Sequence, residues 1–139
     1  MRILFDTSAI YKRYQAEIGR ARVLALGENA LEIVVAAHCK VELVSALNRQ
    51  RFDGMVTDAD YARINEVVNG DFAEFTLVGL DSRVEAYSIS VMEKIRLRAM
   101  DALHIGAAQA ARVDLFVTAD KRQALAAQAV GLVTELIEV

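Results

Sequence analysis

Four carboxylates occur where an apolar chain gains least from carrying them. Asp6 closes the run Ile3-Leu4-Phe5, Asp120 closes "LFVTA", Glu42 sits between Val41 and Leu43 in "HCKVELVSALNR", and Asp101 opens "MDALHIGAAQAA". A charge beside buried surface is costly unless it caps a helix, meets a cation or takes part in chemistry. Each acid alone has an ordinary reading: Asp120-x-x-Gln123 fits a capping box, Asp6-Thr7-Ser8 offers capping oxygens, and Asp101 suits the positive end of a helix. Glu42, in the first turns of an apolar-faced helix, points partly inward. Together they say more. Carboxylates brought to about 5 Å repel by roughly 3 kcal/mol per pair at an effective dielectric near 20. Such a cluster calls for a cation. Oxygen-only donors select hard ions, and no Cys/His set has the spacing of a zinc site, so Mg²⁺ or Mn²⁺ is the expected occupant. Carboxylates with such an ion point to phosphate chemistry.

The elements that must position these acids follow from short apolar runs separated by helical patterns. Strands are expected at Arg2–Phe5, Glu32–Ala36, Phe75–Leu80, Leu115–Thr118 and Leu132–Val139. Helical periodicity covers Ser8–Glu17, Arg20–Leu26, His38–Phe52, Asp58–Val68, Arg83–Ile95, Met100–Arg112 and Lys121–Val130. Asp53-Gly54 and Gly131 read as stops, Thr57 and Asp81 as N-caps. The alternation predicts a three-layer α/β/α fold with a mainly parallel sheet, because parallel strands need helical crossovers. In such sheets ligands bind beyond the carboxyl ends of the strands, where the winding reverses. Asp6 and Asp120 both fall at strand ends. The alanine- and glycine-rich helix after Asp101 is expected to pack closely on the sheet.

Composition narrows the function classes. The chain has 139 residues, 55% of them hydrophobic, which suits one domain spanning residues 1–139. No apolar run approaches the ~18–20 residues that span a bilayer, and no signal peptide is evident, so a cytoplasmic protein is expected. The single cysteine, Cys39, reads as a small buried side chain. With 16 basic and 19 acidic residues the formal charge is −3, so nucleic-acid binding would have to rely on local basic patches. Lys12, Arg13, Lys40, Arg49, Arg51, Arg96, Arg98, Lys121 and Arg122 lie near the acidic segments, each more readily explained as a solvated charge. His104 reads as a helix-packing residue and His38 as a helix start. Tyr11, Tyr14, Tyr61 and Tyr87 are too scattered for a base-stacking platform.

The stretches "ILFDTSAIYKRY", "VELVSALNR", "MDALHIGAAQAA" and "LFVTADKRQALAAQAVG" resemble, in order and across nearly the whole chain, the successive motifs of the PIN-domain family, and are most similar to its VapC-type toxins. That resemblance implies a five-stranded sheet of order 3-2-1-4-5 with about seven helices. It also implies a metal-dependent ribonuclease that leaves a 5′-phosphate and a 3′-hydroxyl. The family's acidic metal site then falls on Asp6, Glu42, Asp101 and Asp120, with hydroxyls of Thr7, Ser8 and Thr118 lining it. Asp6 and Asp101 would be the principal ligands, Glu42 would bind directly or through water and orient the nucleophile, and Asp120 would complete the site or a second, weaker one. Lys40 could pair with an acid or approach the scissile phosphate. The resemblance further implies an RNA substrate, a VapB-like antitoxin and a homodimer. A groove for the antitoxin is expected along the first two helices, at Ile10, Tyr11, Tyr14, Ile18, Val23, Leu24 and Leu26.

Other classes fit less well. A receiver domain needs an acidic pair near its start, a dehalogenase-like phosphatase needs an acid at position 8, where Ser8 stands, and a dinucleotide binder needs G-x-G-x-x-G. A module that keeps the fold and the metal but cuts nothing is the remaining alternative, and metal-dependent cleavage discriminates it.

Overall fold

The structure is a computed structural model that describes residues 1–138. Five strands, β1 (Arg2–Phe5), β2 (Glu32–Ala36), β3 (Thr76–Val78), β4 (Leu115–Thr118) and β5 (Thr134–Leu136), form one sheet in the order β3-β2-β1-β4-β5. Every pairing is parallel. Among the described residues there are seven α-helices: α1 (Thr7–Ile10), α2 (Arg20–Asn29), α3 (Cys39–Phe52), α4 (Asp58–Glu74), α5 (Ser82–Lys94), α6 (Ala99–Ala111) and α7 (Lys121–Ala129).

Strand alternation divides the core in two. Leu4, Val34, Ala36 and Phe116 face α5, α6 and α7, while Ile3, Phe5, Val35, Leu115 and Val117 face α1, α2 and Cys39 at the start of α3. Both sheet faces are therefore covered, which is why the central strands read as unbroken apolar runs. Burying each large side chain contributes about 1.5–3 kcal/mol. A smaller cluster of Leu43, Leu47 and Val68 joins α3 to α4. Central β1 pairs with β2 on one side and β4 on the other, Ile3 lying opposite both Ile33 and Leu115. The order reverses direction at β1/β4, so their carboxyl ends open the crevice where such sheets bind ligands.

Several elements differ from the expected boundaries. The expected helix Ser8–Glu17 is a four-residue α1 followed by a 3₁₀ turn over Tyr11–Tyr14, ended by extended Gln15. Gly19, with φ of 94°, then restarts the chain into α2, a conformation that costs glycine little. Helix α4 continues past Val68 through Gly70, drawing Phe72 under the sheet, so the weak helix former is overridden by packing. The edge strands β3 and β5 are three residues each, shorter than expected, and Val139 lies outside the described residues. Helix α6 meets the core of the sheet as expected, and it approaches α5 more closely still. A Cβ at Gly106 would stand 2.7 Å from the Val84 carbonyl oxygen, so only glycine lets the two backbones come this near.

Of the residues expected to line a groove along the first two helices, some are used by the core and others reach the surface, Tyr11 and Leu24 being half-buried. Ile10, Val23 and Leu26 are buried in the core and Tyr14 packs against it, whereas Ile18 is 63% exposed. Ile10, Val23 and Leu26 thus hold the helices on the sheet, while Ile18 stays on the surface. No described helix is long and apolar enough to cross a membrane.

Candidate active site

Asp6 follows β1 directly and serves as N-cap of α1. Its Oδ1 accepts from the Ala9 amide at 3.1 Å and from Ser8 Oγ at 2.7 Å, and its Oδ2 accepts from Thr118 Oγ1 at 2.5 Å. Capping and clustering are thus both true of this residue. Asp6 is 3% exposed, and among the described residues no basic side chain forms a salt bridge with it. Burial raises its pKa, opposed by the charge of His104 and the hydrogen bonds from Thr118, Ser8 and Ala9.

The hydroxyls form a connected rim. Ser8 Oγ lies 3.2 Å from Thr118 Oγ1 and accepts from the Ala119 amide, and Thr118 Oγ1 accepts from the Asp120 amide. Asp120 caps α7 through Oδ1, which accepts from the amides of Arg122 at 2.8 Å and Gln123 at 3.3 Å. The capping expected of Asp120 is present, and the same residue also faces the crevice.

Glu42, in the first turn of α3, is held from three sides. Thr7 Oγ1 donates to its Oε1 at 2.7 Å, His104 Nε2 lies 2.7 Å from the same oxygen, and His38 Nε2 lies 3.4 Å away. Burial alone would raise the Glu42 pKa, but the His104 and Thr7 hydrogen bonds and the two imidazoles outweigh it, and the net shift is downward. Burial likewise lowers the pKa of His38, helped by the neighbouring His104. Asp101, in the first turn of α6, meets Arg98 Nε at 3.2 Å, and its backbone carbonyl accepts from Gln123 Nε2 at 2.8 Å.

All four acids line one open cleft of about 740 Å³, together with Thr7, Ser8, Tyr11, Arg49, Arg98 and His104. Among the described residues, the three-donor group within 4.8 Å is His38, Glu42 and His104 rather than any three of the acids. His104 is buried and His38 begins α3, as expected, and both also reach Glu42, a cluster that the sequence reading did not anticipate. The signal was present as His38-x-x-x-Glu42, whose spacing puts both on one helical face. Of the basic candidates, Arg49 and Arg98 line the cleft. Lys12 is buried on the Ile18 carbonyl and Glu17, Arg13 pairs with Asp71, and Arg51 pairs with Asp58, so these three serve the fold.

An all-parallel sheet with its winding reversed beside a carboxylate-lined cleft is a doubly wound α/β domain with its ligand crevice at the switch point. The PIN domain profile matches residues 3–129, and the chain belongs to that family. Comparison with curated proteins gives no match. Among solved structures, DNA-bound VapBC from Salmonella typhimurium superposes with a TM-score of 0.72 at 14% identity, over 97% of each chain. FitAcB from Neisseria gonorrhoeae gives 0.70 at 15%, over 95% of each. The sarcin-ricin-loop-cleaving toxin VapC20 of Mycobacterium tuberculosis gives 0.67 at 14%, over 94% of this chain and 96% of that one. At these identities the likeness is one of fold.

Proposed function

We propose that this chain is a divalent-metal-dependent endoribonuclease, acting as the toxin of a toxin–antitoxin pair in the cytoplasm. The observation that carries the reading is the presence of Asp6, Glu42, Asp101 and Asp120 in one cleft beyond the carboxyl ends of β1 and β4. The cleft suits a hard cation on one specific ground. Asp6 is a buried carboxylate met by hydroxyls and an amide, with no basic partner among the described residues, so its ionised form lacks the compensation a bound cation would give.

Asp6 and Asp101 would hold the ion, with Asp120 completing the set and Glu42 reaching it directly or through water. When bound there, Mg²⁺ or Mn²⁺ would supply an acidified water and neutralise charge at the phosphodiester being cut. The chain's own contribution is positioning. Ser8 and Thr118 fix both oxygens of Asp6, and Thr7 and His104 fix Glu42, whose lowered pKa keeps it ionised and able to orient the attacking water by accepting its proton's hydrogen bond. Arg49 and Arg98 at the rim would meet the phosphate backbone. The single domain would work as a homodimer with an antitoxin across the cleft; that its structural neighbours include a toxin-antitoxin complex from Klebsiella pneumoniae supports the antitoxin partner.

The test incubates purified protein with tRNAs and ribosomal RNA fragments in Mg²⁺, Mn²⁺ or EDTA and maps the ends. Cleavage with divalent ion, none with EDTA, and none by Asp6→Asn or Asp101→Asn of unchanged fold is the expected result. Wild-type rates from both variants would overturn the site. Co-expression with the neighbouring reading frame tests the partner: no co-purifying protein, and no harm from the enzyme alone, would remove the toxin role and leave the nuclease.

A further inference from the structure

The chain has two histidines, and both end at one carboxylate oxygen. His38 at the N-cap of α3 and His104 of α6 approach Glu42 Oε1 from different elements, their rings 4.2 Å apart between centroids. The three donor atoms fall within 4.8 Å of one another. We propose that His38, Glu42 and His104 form a site for a borderline divalent transition-metal cation of the zinc type, beside the all-oxygen position described above and sharing Glu42 with it.

Two imidazoles and a carboxylate are the donors that Zn²⁺ and Co²⁺ take, whereas Mg²⁺ takes oxygens and water. Ligands bound to zinc at about 2.0–2.2 Å in a tetrahedron stand roughly 3.4 Å from one another. The His38–Glu42 edge is already 3.4 Å. The His104–Glu42 contact, a hydrogen bond at 2.7 Å, opens by a fraction of an ångström when the ion enters. His104 is 2% exposed and held by packing, so one ligand is preorganised. His38 is more accessible, and Glu42 and His104 both line the open cleft, from which a water can take the fourth position.

Proton placement agrees with an ion that binds with moderate affinity. In the metal-free protein, His38 Nε2 donates to the Met100 carbonyl at 2.8 Å and His104 Nε2 donates to Glu42. Ligation moves each proton to Nδ1. His104 Nδ1 is buried with no hydrogen-bond partner among the described residues, so the outer bond that usually steadies a ligating histidine is missing. The affinity should accordingly fall about 10–100-fold below that of a fully supported zinc site.

Because these are the only imidazoles in the chain, ¹⁵N-labelled, tag-free protein stripped of metal reports the site directly in long-range ¹H–¹⁵N spectra. One equivalent of Zn²⁺ should move the Nε2 resonances of both rings, and a tenfold excess of Mg²⁺ should not reverse the change. Co²⁺ in its place should give the visible absorption of a four- or five-coordinate ion, lost in His38→Ala and in His104→Gln. Ring resonances unmoved by Zn²⁺, ready displacement by Mg²⁺, or undiminished absorption in His38→Ala would each overturn the proposal. If His104→Gln does not fold, the wild-type ring resonances decide. None of these measurements uses RNA, so a failure here and a failure of the nuclease reading are separately visible.

Discussion

Thr118, the last residue of β4, donates its hydroxyl to Oδ2 of Asp6, the residue after β1, at 2.5 Å. One hydrogen bond thus ties the carboxyl ends of two adjacent strands and aims the Asp6 carboxylate into the cleft. Thr118→Val keeps the shape and removes the donor, leaving a buried acceptor short of a partner. A loss of about 1.5–3 kcal/mol is expected in urea unfolding, with cleavage reduced as well. Thr118→Ser, which restores the hydroxyl, should recover most of both.

Asp120 caps α7 and, on the reading proposed above, would also hold the ion, two roles that one substitution can separate. Asp120→Ser retains an oxygen for the amides of Arg122 and Gln123 and deletes the charge. Stability should stay within about 0.5 kcal/mol, since serine caps nearly as well as aspartate. Cleavage should fall by tenfold or more, on the order of a single ligand's contribution, and full activity would leave Asp120 as a cap alone.

Gly106 sets the distance between α5 and α6. A methyl there would meet Ser88 Oγ as well as the Val84 carbonyl, so Gly106→Ala should destabilise the protein by roughly 1–3 kcal/mol despite alanine's better helix propensity. Adding Ser88→Ala removes the side-chain clash and leaves the backbone one. The double variant should therefore regain only part of the loss in thermal unfolding.

Cys39 is fully buried, and burial pushes its thiol up from 9.0 to about 12. At pH 8 the native protein should be inert to iodoacetamide and should react promptly in urea, as followed by mass spectrometry. The folded thiol binds its proton more tightly than the unfolded one, so stability is unaffected below pH 9 and declines as pH rises from 9 toward 12. Cys39→Ala should flatten that alkaline decline.

The sequence carried the centre of the fold better than its edges. β1, β2 and β4 are buried on both faces, so each is an apolar run with sharp ends, and all three lie where expected. β3 and β5 have only one neighbour each, and their apolar flanks, such as Leu80 at 60% exposure, extend beyond the paired residues. Apolarity there does not mark pairing. The four acids were legible because each is a charge in an apolar setting. His104 was not, because a buried imidazole that packs and one that binds a carboxylate have the same local sequence, and 62 residues separate it from Glu42; the i,i+4 spacing of His38 and Glu42 was the one local sign. Only the fold brings them together.

The placement of β4 beside β1 also sets a schedule for synthesis. β1 pairs with Leu115–Val117, which is made more than a hundred residues after it. Until then Asp6 has no Thr118 to fix it, and Asp101 and Asp120 have no place in a cleft. On the reading proposed above, an enzyme that attacks RNA is thereby kept incomplete until β4 and the start of α7 have followed β1 out of the ribosome.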